Sequence, residues 1–346
     1  MSTLDAPGTP PPPPRSAAAS GVRPLARKRS RPSEQLFKWL VMGLTAITLA
    51  MLVWLITSVL VRGAGSLSWA FLTDKPSSNP ARAGFNSALR GSVVLMIITL
   101  TFAWPIGVAA ALYLEKFATQ SAAGAERKLR ERLDGGARGV RRAWMRGRLW
   151  WLRVRPGVVH MVDVNISNLA AVPSIIYGLL GLAIFVGILG ISKSLLAGGL
   201  TLAVLILPII IIAAREALRA VPVSIEQGAM ALGATRWQAV RSQVFPAALP
   251  GILTGTILAM SRAIGETAPL IVVGGIVFGT AVPSLNPLDA GNEALFAMPL
   301  QIYFWTDQPQ EAFQAIAAAG IIVLLATLLV MNLVAIILRN RYSKRW

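Results

Sequence analysis

Gly228-Ala229-Met230-Ala231-Leu232-Gly233-Ala234-Thr235-Arg236-Trp237-Gln238-Ala239 is a glycine-punctuated stretch set between two long apolar runs. It belongs to a loop, residues 215–248, that is too long and too patterned for a simple turn. Pro222 is suited to start a helix and Ser224 to cap one. Ile225, Ala229 and Leu232 recur at helical spacing and give a short apolar face. Gly233 permits a sharp turn and close backbone approach. Trp237, Val240 and Val244 give a second apolar face, and Pro246 and Pro250 frame the start of the next apolar run. The pattern predicts two short helices joined at a glycine, a shape that suits insertion into a groove on another protein.

The runs on either side set the class of the molecule. The chain has 346 residues, is 55% hydrophobic and only 14% charged. Six stretches approach the roughly 20 residues that a helix needs to cross a bilayer: Leu40–Val61, then 91–114, 167–190, 195–214, 250–276 and 313–338. Helices are expected because lipid offers no partner for backbone N–H and C=O groups. Pro105, Pro173 and Pro208 fall within or near these stretches and predict kinks. Gly178, Gly181, Gly251 and Gly255 predict close helix contacts. The chain has no cysteine, which excludes disulfides, thiolate metal sites and a Cys nucleophile. A single histidine, His160, gives no basis for a metal cluster and reads as a polar residue near a helix start. No metal and no cofactor are expected.

The net charge of +18 is distributed between the apolar spans, which argues against a nucleic-acid partner. An N-terminus on the inside puts 27 of the 33 Lys and Arg on the cytoplasmic side and 5 on the other, with Arg262 inside a span. This asymmetry predicts both termini in the cytoplasm. Residues 1–35, with Pro10 to Pro14 unbroken, lack the composition to form a core and read as a disordered tail. Residues 115–160 interleave arginines with Trp144, Trp150 and Trp151, which suits a helix lying on an anionic inner leaflet. A solvated linker and a partner-binding segment are the other readings.

The fifth stretch carries Arg262-Ala263-Ile264-Gly265-Glu266-Thr267-Ala268-Pro269-Leu270. Arg262 and Glu266 are one helical turn apart and project to one side. A lone charge at the bilayer centre costs at least about 2.5–3.5 kcal/mol, so the pair is expected to face the protein interior or a water-filled path. The guanidinium fork fits an oxyanion bidentately, and Glu266 would hold Arg262 when no substrate is present. A closed ion pair that only locks helix packing is the alternative. The segment 277–311 carries Asp289, Glu293, Asp307 and Glu311 and no Lys or Arg. It would repel an anion, and reads instead as a surface for a periplasmic partner. Tyr303 and Trp305 fit either that surface or an interfacial anchor.

The loop resembles the cytoplasmic motif of bacterial ABC-importer permeases: Glu-Ala-Ala, three residues, Gly, nine residues, Ile-x-Leu-Pro. At those positions stand Gln227-Gly228-Ala229, Gly233 and Gln243-Val244-Phe245-Pro246, with Gln227 in place of Glu (Glu226 is adjacent) and Phe245 in place of Leu. Ala171-Val172-Pro173-Ser174-Ile175-Ile176-Tyr177-Gly178-Leu179, Gly265–Leu270, Pro299-Leu300-Gln301-Ile302-Tyr303 and Leu338-Arg339-Asn340-Arg341-Tyr342 look like the PstA-type subunit of the phosphate-specific ABC importer. The resemblance covers residues 36–114 and 160–346.

This resemblance implies an all-α membrane protein with six transmembrane helices of the type I ABC importer permease fold and a cytoplasmic coupling helix. The expected organisation is a tail (1–35), two spans (36–114), the insertion (115–160) and a permease core (161–346) holding the coupling loop 215–248. The implied partners are a PstC-type permease, a PstB-type ATPase dimer, a periplasmic phosphate-binding protein and the lipids of the bacterial inner membrane. Glu226, Gln227, Gly228, Ala229, Gly233, Ala234, Thr235 and Trp237 would dock the ATPase. Arg262, Glu266 and Thr267 would line the phosphate path. The chain lacks a Gly-rich loop ending in Gly-Lys-Ser/Thr, so ATP hydrolysis is expected on a partner. A permease for another oxyanion or small solute, or a membrane-anchored scaffold or sensor, are the rival readings.

Overall fold

The computed structural model describes residues 32–118, 157–275 and 281–342. The expectations for the tail, for most of the Arg/Trp-rich insertion and for residues 276–280 lie outside the described residues. Two compact units are present, Met1–Ile56 and Thr57–Trp346. Most of helix α1 (Pro32–Gly63) belongs to the first. Its apolar run is interrupted by threonines, which satisfy themselves: Thr45 Oγ1 donates to the Val41 carbonyl at 2.8 Å and Thr48 Oγ1 to Leu44 at 3.0 Å.

Among the described residues of the second unit the regular structure is helical, joined by turns and loops, with an isolated bridge between Ser194 and Ala294. After a short helix α2 (Trp69–Thr73), helix α3 (Asn86–Leu112) runs on as a wider π-turn to Ala118. Helices α4 (157–170) and α5 (Ser174–Gly181, extended by a π-turn to Ile188) follow, then α6 (Leu195–Arg219). Two short helices come next, α7 (Val223–Ala231) and α8 (Arg236–Ala239), before α9 (Phe245–Ile264). Helices α10 (Ala268–Val273), α11 (Met298–Thr306) and α12 (Glu311–Tyr342) complete the unit. Among the described residues five helical runs are long and apolar enough to span a membrane, six if the bent α4–α5 pair counts as one span.

Helices α3, α6 and α9 form the centre, and small residues set their spacing. Gly107 of α3 lies where a Cβ would stand 2.8 Å from Ile210 of α6. Farther along α6, Gly251 of α9 faces Ala217 and Gly255 faces Ala213. Lipid supplies no hydrophobic drive between helices, so this close backbone approach, with its dispersion contacts, is what holds them. A buried hydrogen bond from Thr99 Oγ1 to the Gly199 carbonyl, 3.1 Å long, adds to the α3–α6 seam.

Two expected spans are not straight. The stretch expected over 167–190 is part of a longer path that turns through 104° between α4 and α5. Pro173 explains the turn: it has no N–H to donate, and it drives the preceding residue out of helical conformation. The stretch expected over 250–276 likewise ends as a helix at Ile264 and restarts at Ala268. Pro105 and Pro208, in contrast, lie inside continuous helices.

Residues 281–310 are a folded cap on one end of the bundle rather than a bare loop. Ser87 Oγ donates to the Ala281 carbonyl, Met298 N donates to Ser92 Oγ, and Leu195 N donates to the Glu293 carbonyl. Trp305 is 1% exposed and sits 5.5 Å from the Phe85 ring and 6.0 Å from Phe71. It is therefore a core residue of the cap, neither a partner surface nor an interfacial anchor. Tyr303 remains exposed.

Candidate transport site

The end of the bundle opposite the cap carries the α7–α8 loop. Pro222 takes the cap position of α7, and Ser224, expected to cap, lies inside the first turn. Gly233 adopts φ +90, a left-handed conformation that side chains disfavour, and closes the turn as expected. Gly233 N donates to Met230 and Ala234 N to Ala229. Thr235 and Gln238 form a reciprocal capping box: Thr235 Oγ1 accepts from Gln238 N, and Gln238 Oε1 accepts from Thr235 N at 2.8 Å. The Thr-x-x-Gln spacing is the sequence signal of this box.

The loop displays Leu232 at 92% and Trp237 at 57% exposure, with Met230 and Val223 also exposed. Gln227, Gly228, Gly233 and Thr235 are exposed beside them, and Ala229 and Ala234 are half-buried. Glu226 is not on this surface. It is 3% exposed, with Oε2 at 3.2 Å from Lys116 Nζ and Oε1 at 3.4 Å from Arg236 Nε. At this register of α7 the carboxylate faces the end of α3, where the buried Lys116 needs a counter-charge.

α8 does not end in a loop. A π-turn, Val240–Val244, joins it to α9, so one helical run extends from Arg236 to Ile264. Arg262 lies in the last turn of that run, where the helix carbonyls favour a cation. It is 17 residues beyond Phe245, about 26 Å along the axis. Its Nε stands 3.2 Å from Glu266 Oε1, with side-chain exposures of 47% and 18%. Glu266 lies past the helix end, held by its N–H to the Ala263 carbonyl. The pair therefore faces a surface of this chain, not its interior. Thr267 follows directly, and its carbonyl accepts from Leu270 and Ile271 N as α10 begins.

The break after Ile264 is braced by the break at Pro173. α10 packs on α5, and a Cβ on Gly178 would stand 2.8 Å from Pro269 Cα. Two motifs nearly a hundred residues apart in sequence thus meet beside Arg262. Tyr177 of the first motif is buried, its hydroxyl donating to the Leu169 carbonyl at 2.7 Å across the α4–α5 bend.

Span-length helices held by small residues, a surface-facing charge pair at one helix end and an exposed apolar loop define an all-α, multi-pass membrane transport component. Residues 160–345 match the model of the binding-protein-dependent transport system inner membrane component, and the chain belongs to that family. Among similar proteins, the probable ABC transporter permease YqgI of Bacillus subtilis is 28% identical over 84% of this chain and 89% of its own length. The phosphate transport system permease PstA 1 of Mycobacterium tuberculosis is 30% identical over 86% of this chain and 85% of its own length. Of solved structures, an inward-facing MetNI methionine ABC transporter chain overlays 75% of this chain and 97% of its own, at 17% identity and a TM-score of 0.49.

Proposed function

We propose that this chain is the permease subunit of an ATP-driven inorganic phosphate importer, and that phosphate passes beside Arg262 at its interface with a sister permease. The observation that carries this reading is the Arg262–Glu266 pair: Arg262 in the last turn of a span-length run, Glu266 just past its end, and the pair partly exposed on the chain's own surface. In lipid such a surface needs a polar counterpart, and a subunit interface enclosing a water path provides one. Phosphate offers oxygens that the guanidinium binds in fork geometry, and Glu266 competes for the same donors, which keeps the contact weak enough to release. The similarity to proteins named as phosphate transport permeases supports phosphate as the anion.

Energy enters at the other end of the same rod. The exposed Leu232, Trp237, Gln227, Gly228, Gly233 and Thr235 seat in a groove of an ATPase partner in the cytoplasm. ATP-driven closure of two such ATPases displaces the loop 215–248. The continuous run Arg236–Ile264 carries that displacement toward Arg262. Positive-inside asymmetry orients the loop and both termini to the cytoplasm, and the cap over 281–310 meets the phosphate-loaded binding protein. The permease contributes shape and charge, and hydrolysis belongs to the ATPase.

The test is phosphate uptake by the assembled complex carrying Arg262→Gln. Normal uptake with intact assembly removes Arg262 from the path. Competition of labelled phosphate uptake by sulfate as strong as that by unlabelled phosphate overturns phosphate as the specific anion.

A further inference from the structure

Three consecutive residues, Glu115, Lys116 and Phe117, lie in the π-turn that ends α3, and each holds a different part of the same end of the bundle. Glu115 accepts from Arg219 at 3.0 Å and lies 3.5 Å from Arg215 Nε. Arg215 in turn grips Asp163 of α4 bidentately, at 2.7 and 3.1 Å. Lys116 pairs with Glu226 of α7 at 3.2 Å, with side-chain exposures of only 6% and 4%. The Phe117 ring lies 6.0 Å from Trp237 of α8 and receives the Arg236 guanidinium over its face at 5.6 Å. A π-turn widens the helix and fans successive side chains apart, a geometry concentrated at functional places. Here the fan joins the loop helices on one side to the middle of α4 and the end of α6 on the other.

We propose that Glu115-Lys116-Phe117 is the joint that makes the α7–α8 loop, the middle of α4 and the end of α6 move as one body, with the Lys116–Glu226 tie as its closed link. The proposal rests on the reading of the loop as an ATPase-docking element. Without such a tie, a push on α7 is absorbed at Gly233 and at the Pro222 turn. With it, the push also reaches α4, whose bend leads to Tyr177 and thence to the break beside Arg262. Both sides of the Arg262 surface then shift together. Lys116 and Glu226 act as positioning residues: buried, they touch neither ATPase nor anion.

Because the chain has no cysteine, thiols placed at these two positions are unique. The experiment uses the full permease pair with its ATPase and binding protein in vesicles, and measures phosphate moved per ATP hydrolysed. The double variant Lys116→Cys/Glu226→Cys is expected to keep the ATPase bound while that ratio falls at least tenfold. Bridging the two thiols with a short bis-maleimide is expected to return it to within twofold of the parent. Lys116→Arg, which keeps a cation within reach of Glu226, stays within twofold throughout. A double variant that couples like the parent overturns the joint. So does cross-linking that fails to restore the ratio, because the tie would then have to open. Loss of assembly in the double variant, or a tenfold loss in Lys116→Arg, makes the pair a folding element and also overturns it. Failure of the parent chain to bind the ATPase overturns the docking reading itself, before any variant is compared.

Discussion

Two ion pairs in this molecule have the same length and opposite settings. Lys116–Glu226 and Arg262–Glu266 both close at 3.2 Å. The first is almost wholly buried and Glu226 has a second cation, Arg236, at 3.4 Å. The second is half-open and joins residues of one short segment. Distance therefore says little about what a pair does. A buried pair has lost its water and is held shut by the penalty of leaving either charge alone. An exposed pair is only weakly favourable, so a passing anion competes with the carboxylate for the guanidinium. One setting suits a link and the other suits a gate for charge.

The largest expected effect tests the closed pair. Glu226→Ala leaves the Lys116 ammonium buried without its partner and is expected to destabilise the fold by about 3–5 kcal/mol. Thermal unfolding of the purified chain in detergent measures this, and a loss under about 1 kcal/mol removes the contrast with Arg262–Glu266. Arg262→Gln is expected to do the reverse: unfolding shifts little, while uptake falls roughly ten- to hundredfold, the worth of a charged hydrogen bond of about 1.5–3 kcal/mol. Equal damage to stability and uptake would make this pair a lock as well.

Glu266→Gln removes the competitor and keeps the shape. Phosphate is expected to be held several-fold more tightly and released more slowly, seen as a lower half-saturation concentration with a lower maximal rate. An unchanged half-saturation concentration would show that Glu266 does not compete. The smallest effect is expected from Thr235→Ala, which removes half of the capping box at α8 and destabilises by about 1 kcal/mol. If it lowers ATPase binding far more than it lowers stability, Thr235 also touches the partner.

The spans were legible because their signal is local: a run of apolar residues long enough to cross a bilayer identifies itself. The glycine turn at Gly233 was legible for the same reason, since few other residues accept φ +90. The breaks were not. Pro173 and Pro208 both stand in apolar stretches, yet one sits at a break with a bend and the other inside a continuous helix. Pro105 is carried through like Pro208. The difference lies in the neighbours that fix the backbone, such as the Tyr177 bond to Leu169 at the bend. The buried state of Glu226 was also hidden, because its partner Lys116 is more than a hundred residues earlier in the chain.

By itself the sequence determined the membrane class, the placement of the loop between spans, and the four-residue spacing that lets Arg262 and Glu266 pair. These follow from hydropathy and from short-range spacing along the chain. Tertiary structure alone decided which charges are shut in and which face outward. It also decided that α8 runs unbroken into α9, and that Gly178 meets Pro269. Burial and contact depend on what other parts of the chain bring to the same place, and residue spacing carries no record of that.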